Sequence, residues 1–193
     1  MNKEININLI TEKLKNDGGF FIQDFFNEED LNKLEAEFAI PKKQTFNNNN
    51  SGLVYYNSQK FISQTLVHSK FIFNFLTSQN VFGLFKNYLG KCVLKASRYY
   101  FTGGGGLSMW HHDEKNNGYS SVGLIMIIYL TDVVSDSDGP FEYIKNSHKF
   151  SDKLNDNEFF VKNISEKYSD NIVTVFGKAG TILFADSRVI HRA

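Results

Sequence analysis

Residues 181 to 193 read Thr-Ile-Leu-Phe-Ala-Asp-Ser-Arg-Val-Ile-His-Arg-Ala, two β-prone runs at 181–185 and 188–193 divided at Asp186 and Ser187. The same texture reaches back through the second half of the chain. Short runs rich in Val, Ile, Phe and Tyr recur at 92–102, 107–113, 122–131, 141–144 and 171–176, separated by Gly, Asn, Asp and Ser. So many short strands predict a sandwich or jelly roll, whose two sheets enclose a cavity and whose winding brings non-adjacent strands together.

Ahead of these strands the periodicity is helical. Leu9 to Lys15 predicts a short helix ended by Gly18 and Gly19, and Phe20 to Phe26 a strand. Asn27 is an N-cap with Asp30 three residues on; Leu31, Leu34 and Phe38 mark one apolar face, and Pro41 is the expected stop. Phe61 to Leu76 and Val81 to Leu89 carry helical spacing, with Gly90 placed as a C-cap. Residues 42–52, with asparagine at 47 to 50, form a polar loop. Gly103 to Gly106 lacks the Gly-Lys-Ser/Thr ending of a phosphate loop and reads as a turn feeding the next strand. The expected architecture is mainly β with N-terminal helices in a single domain. Residues 1–90 would be a helical portion packing on one side of a sheet, and residues 91–193 the jelly-roll core.

Composition bounds the function classes. A chain of 193 residues suits one domain burying roughly two-thirds to three-quarters of its unfolded surface. Lys plus Arg equals Asp plus Glu at 21 each, which gives no electrostatic footprint for nucleic acid or an anionic membrane. The longest apolar run, Val122 to Leu130, falls far short of the ~20 residues of a spanning helix, and Met1 to Asn8 lacks a signal-peptide pattern. A cytoplasmic protein with no membrane partner is expected. Cys92, the lone cysteine, forms no internal disulfide and reads as a small apolar strand residue.

The chemistry-bearing residues sit on the strands. Residues 110 to 113 are Trp-His-His-Asp. Side chains two apart on an extended segment point the same way, so His111 and Asp113 face one side and His112 the other. His191, eighty residues further on, completes a set of two imidazoles and a carboxylate. On one face of an octahedral ion such a set leaves the opposite face open, the coordination of non-haem Fe(II) sites.

Around these residues the sequence resembles the phytanoyl-CoA dioxygenase family of Fe(II)- and 2-oxoglutarate-dependent oxygenases, over most of the chain. Leu14, Asp17 to Ile22, Phe26, Glu28, Glu29 and Leu31 are similar to that family's opening strand and helix. Trp110, His111 and Asp113 match its metal motif. Tyr129 to Thr131, Asp138 to Phe141 and Ser147 to Lys149 resemble its strand, its Gly-Pro turn and its Gly-Ser-His-Lys segment, with Asn146 in place of that glycine. Gly180 to Phe184, Asp186, Arg188 and His191 resemble the strand pair that delivers the second histidine.

The resemblance implies a double-stranded β-helix (jelly-roll, cupin-like) core and the co-substrates 2-oxoglutarate and O2, with Fe(II) held by His111, Asp113 and His191. It also implies a hydroxylation in which 2-oxoglutarate is decarboxylated to succinate and CO2. Retention of Asp113 favours hydroxylation over halogenation, because related halogenases resemble this pattern with a small residue there. Tyr129 falls beside the co-substrate. Arg98 enters the pocket from an earlier strand, and Tyr100 reaches either ligand or is an ordinary strand tyrosine with a solvated tip. The family's arginine for the distal carboxylate of 2-oxoglutarate lies beyond the second histidine. Alternation turns Arg192 away from the cavity, so the expectation is a core lacking its last strand or strands and a natural chain continuing past Ala193.

Other residues carry blander expectations. Trp110 reads as a packing residue that positions His111, His68 as part of a helix, and His148 as part of a polar turn. Asp132, Asp136 and Asp138 lack the later bidentate Glu of a calcium loop and read as a solvated turn. Arg188 reads as a salt-bridge residue or a substrate contact. Beside the oxygenase reading stand a cupin-like metalloprotein with non-oxidative Zn(II) chemistry and a non-catalytic relative. The sequence leaves the small-molecule substrate and the oligomeric state open.

Overall fold

The structure, a computed structural model, describes residues 4–47, 53–56, 59–101, 109–113, 122–150 and 164–193. The expected glycine turn at 103–106, the start of the 107–113 strand and part of the asparagine-rich loop lie outside the described residues.

Two capped helices roof the first sheet. Helix α1, Ile7–Asp17, starts where the Asn6 side chain accepts from Leu9 N at 3.0 Å. It ends at Gly18, whose φ of 86° returns its N–H to Leu14 O. Helix α5, Gln79–Leu89, is capped by Ser78 and ends at Gly90. Their apolar stripes, Ile10 and Leu14 from α1 and Val81 and Leu84 from α5, bury against a three-stranded antiparallel sheet. That sheet has the order β1 (Gly19–Ile22), β8 (Ile182–Asp186), β5 (Leu124–Ile128).

Period-two alternation divides each strand of this sheet between two cores. Phe20 and Ile22, Ile182 and Phe184, and Leu124, Met126 and Ile128 face the helices. Phe21, Leu183, Ala185, Ile125 and Ile127 face a second sheet of order β7 (Ile172–Val175), β6 (Phe141–Ile144), β9 (His191–Arg192). Between the sheets, Phe141, Tyr143, Val175 and Val189 complete a dry layer. Each such buried side chain is worth about 1.5–3 kcal/mol of transfer free energy. The outer face of the second sheet is covered by Trp110 and by Ile164 of the one-turn helix α6, Ile164–Lys167.

A third antiparallel sheet, β2 (Leu53–Tyr56), β3 (Gln59–Ser63), β4 (Arg98–Phe101), packs under α2 (Glu28–Asn47) and α4 (Lys70–Leu76) through Leu34, Phe38, Ile62, Ile72 and Tyr99. The first ninety residues thus supply strands as well as helices, and β1 joins the sheet that carries β8.

Several local expectations fail, among them the polar loop expected from residue 42, which is helical to Asn47, and the strand expected over 188–193, which is confined to His191–Arg192. Helix α2 runs through Pro41 instead of stopping there. Proline deletes one helical bond and crowds the preceding turn, a cost of about 3 kcal/mol, but leaves the residues after it free to stay helical. Here Lys42 ties the far side back by pairing with Glu35 and lying over the Tyr99 ring at 4.8 Å. The run 61–76 is not one helix: Phe61 and Ile62 pair with Tyr100 and Tyr99 in β3. Gln64 then turns the chain at a φ of 54°, leading into α3 (Thr65–His68), and Ser69 caps α4 by accepting from Ile72 N at 3.0 Å. The strand expected over 92–102 is confined to 98–101, because only there does β3 offer a partner.

Candidate metal centre

His111 and His191 face each other as a hydrogen-bonded antiparallel pair. His111 N–H donates to His191 O at 2.9 Å and His191 N–H to His111 O at 2.8 Å. That reciprocal pairing brings together two residues far apart in sequence, and their ring centroids lie 4.4 Å apart. The segment continues to Asp113, whose N–H donates to Ser187 O at 3.1 Å, so Asp113 returns to the His111 face two residues on. Its Oδ1 is 3.9 Å from His111 Nε2 and 4.0 Å from His191 Nε2. Among the described residues these three form the cluster of metal-ligating type, with ligand atoms within 4.8 Å of one another.

Each imidazole is fixed through its other nitrogen. His111 Nδ1 sits 2.8 Å from Met109 O and His191 Nδ1 3.0 Å from Val189 O, in both cases the carbonyl two residues back. A carbonyl only accepts, so each Nδ1 carries the proton and each Nε2 lone pair is left for the cluster. Burial and the neighbouring His111 hold His191 below the ordinary histidine range, which keeps it in the neutral form a metal needs. The His191 ring stacks on Phe141 at 5.3 Å, while the Asp113 side chain is about half exposed at the mouth. Two imidazoles that present Nε2 and one carboxylate fit a divalent first-row transition-metal ion such as Fe(II).

The opposite face does structural work. Trp110 is buried, donates from Nε1 to Ser165 Oγ at 3.1 Å, and stacks under the Arg192 guanidinium at 4.4 Å. Arg192 Nε donates to Glu142 at 2.5 Å, so Arg192 does turn away from the cluster. Tyr129 is buried in the inter-sheet core; its hydroxyl donates to Val175 O and accepts from Phe141 N, both at 3.0 Å. Arg98 and Tyr100 share the exposed face of β4, with Arg98 donating to the Tyr100 hydroxyl at 2.9 Å and stacking on Phe61.

Arg188 is a salt-bridge residue: its Nε and an Nη donate to the two oxygens of fully buried Asp186 at 2.8 and 2.7 Å. Burial pushes Asp186 up, but the Arg188 and Tyr88 hydrogen bonds outweigh it and hold the carboxyl below its usual range. Asp138 collects Val134 N, Ser135 N and the Ser135 hydroxyl, closing a turn of its own.

The polar turn after β6 does more than the sequence reading assigned to it. Asn146 stands at a φ of 68°, a left-handed conformation open to glycine and asparagine, which explains the exchange at this position. Ser147 is buried, donates to Ile144 O at 2.7 Å and accepts from Ile190 N at 2.8 Å. His148 Nε2 meets Lys15 O at 3.1 Å, and Lys149 donates to Asn16 O at 2.8 Å. The turn therefore clips the C-terminal end of α1 to the strand carrying His191. The left-handed Asn146 was the signal for such a turn; its partners are tertiary.

The fold is similar to those of several solved structures. EctD from S. alaskensis, solved with 2-oxoglutarate and 5-hydroxyectoine, is 18% identical, with a TM-score of 0.73 over 100% of this chain and 71% of its own. HygX from Streptomyces hygroscopicus, with nickel and 2-oxoglutarate bound, is 13% identical, with a TM-score of 0.71 over 95% of this chain and 79% of its own. The non-heme alpha ketoglutarate dependent carbocyclase SnoK from nogalamycin biosynthesis is 17% identical, with a TM-score of 0.66 over 95% and 76%. The chain belongs to the phytanoyl-CoA dioxygenase (PhyH) family, whose model matches residues 14–193. No curated protein matches it. Among the described residues no helix is long and apolar enough to cross a membrane.

Proposed function

We propose that this chain is an Fe(II)- and 2-oxoglutarate-dependent dioxygenase that hydroxylates a small molecule while 2-oxoglutarate is decarboxylated to succinate and CO2. The observation that carries the reading is the convergence of two pinned imidazoles and one carboxylate in a member of this family. His111, Asp113 and His191 are assigned as the metal ligands; iron bound there, with 2-oxoglutarate and O2, supplies the oxidising chemistry. The chain's own residues bind and orient. His191 is the buried ligand, backed by Phe141, and Asp113 is the half-exposed one. Asp113 also fills the position a halide would need, which favours hydroxylation, although the neighbours on this fold include an epimerase and a carbocyclase.

Strands β5 to β9 of the two facing sheets are read as the double-stranded β-helix core over residues 91–193, with residues 1–90, β1 among them, joined to it in one oxygenase domain. Arg98, whose guanidinium suits a carboxylate, is assigned with Tyr100 to the co-substrate or substrate. Tyr129 is assigned to the wall behind the co-substrate and not to a bond with it, because its hydroxyl is already engaged on both sides. The test is O2-dependent succinate formation from 2-oxoglutarate by protein reconstituted anaerobically with Fe(II). His111→Ala is expected to abolish it. Undiminished turnover in that variant overturns the ligand assignment, and a protein that retains Zn(II) and shows no 2-oxoglutarate binding overturns the oxygenase reading.

A further inference from the structure

The amide joining Val189 to Ile190 is gripped from both sides. Its carbonyl, Val189 O, accepts from His191 Nδ1 at 3.0 Å, and its N–H, on Ile190, donates to Ser147 Oγ at 2.8 Å. Ser147 is itself anchored, donating to Ile144 O at 2.7 Å, and is 6% exposed. No ladder partner is left for the Ile190 N–H at this point, because β6 ends at Ile144 and the chain turns through Lys145 and Asn146. Ile190 is 3% exposed, so without Ser147 its N–H would be buried and unsatisfied.

We infer that Ser147 is a positioning residue for the metal centre. By holding the 189–190 peptide plane it keeps Val189 O aimed at His191 Nδ1, which fixes the imidazole in the tautomer that presents Nε2 to the cluster. A peptide plane is rigid, so fixing its N–H fixes its carbonyl. Partners behind a ligating histidine typically change metal affinity 10- to 100-fold when removed. Behind His111 stands the carbonyl of its own segment's Met109, at 2.8 Å.

This inference rests on the metal-ligand reading above, and the experiment separates the two. Nitrogen-15 NMR of the metal-free full chain reads the His191 tautomer and the hydrogen exchange of the Ile190 amide in wild type, Ser147→Ala and Ser147→Thr; Co(II) titration of the same samples reads affinity. Expected are a protonated Nδ1 and a protected Ile190 amide in wild type. Ser147→Ala should show faster exchange, a mixed tautomer and Co(II) binding weakened about 10- to 100-fold. Ser147→Thr, which keeps the hydroxyl, should stay close to wild type. Should Ser147→Ala not fold, the wild-type tautomer and the threonine variant still decide. A wild-type His191 protonated on Nε2, or a Ser147→Ala protein less stable but with unchanged tautomer and Co(II) affinity, overturns the inference. A wild type that binds no Co(II) sinks the ligand assignment instead, with the tautomer and exchange data still deciding the role of Ser147.

Discussion

Strands β8 and β9 are separated by four residues and do opposite work. Strand β8, Ile182–Asp186, is buried on both faces, with helices on one side and the second sheet on the other, and all but its last residue are apolar. Strand β9, His191–Arg192, spends its two side chains on a cluster of ligating atoms and on an ion pair with Glu142. The first sheet carries stability and the second carries chemistry. The comparison teaches that the three proposed ligands are brought together by backbone bonds between two short segments far apart in sequence, while the apolar layers hold those segments still.

Substitution at His191 and at Phe184 should break this division most sharply. His191→Ala is expected to abolish metal binding and succinate formation, and because the ring is buried against Phe141 it should also lower the urea midpoint, by less than Phe184→Ala does. Phe184 is fully buried in β8, and Phe184→Ala should cost about 3–5 kcal/mol by urea denaturation yet leave turnover per folded molecule intact. A Phe184→Ala protein that is stable but inactive would show that the scaffold sheet shapes the site directly.

Asp186 joins the two halves and gives an intermediate effect. Asp186→Asn leaves the Arg188 charge behind, but that side chain is about a third exposed, so the expected loss is roughly 1–3 kcal/mol and not that of a fully buried pair. Because the folded carboxyl titrates below its usual range, the wild type holds this contribution above about pH 4 and loses it as pH falls further. Urea midpoints from pH 7 to pH 3 should fall more steeply for wild type than for Asp186→Asn; parallel curves would remove the ion pair from the account.

Much of this arrangement was legible in the sequence where local chemistry decides it. Strand β6 matches its expected bounds of 141–144 because Gly139 and Pro140 precede it and the left-handed Asn146 follows. The ends of helices α1 and α5 follow from Gly18 and Gly90, and the shared face of His111 and Asp113 from strand alternation. Illegible were the features that need a partner. Phe61 and Ile62 fit helical spacing and pair as a strand only because β4 lies beside them. The reciprocal bonds between His111 and His191, and the Ser147 bond to Ile190, are long-range register, which no local pattern encodes.

The smallest effect concerns the clip between the two halves. His148 lies against Gly18, where an added Cβ would fall 2.7 Å from its Nδ1, and its Nε2 must carry a proton to donate to Lys15 O. Burial pushes its pKa down, opposed by the bond to Lys15 O and by Asp186 and aided by Arg188 and Lys149, so the folded protein holds the ring neutral. An unfolded histidine titrates near 6.5, so the unfolded chain takes up this proton first as pH falls. The buried neutral ring therefore contributes fully above about pH 6.5 and loses that contribution as pH falls through the lower folded value, while the bond to Lys15 O keeps its donor throughout. His148→Gln keeps a donor for Lys15 O without titrating. Its urea midpoint should decline less than that of wild type between pH 7 and pH 5, and since the other histidines are common to both proteins, the difference isolates the cost of charging this buried ring. Identical declines would mean that His148 titrates alike in the folded and the unfolded chain.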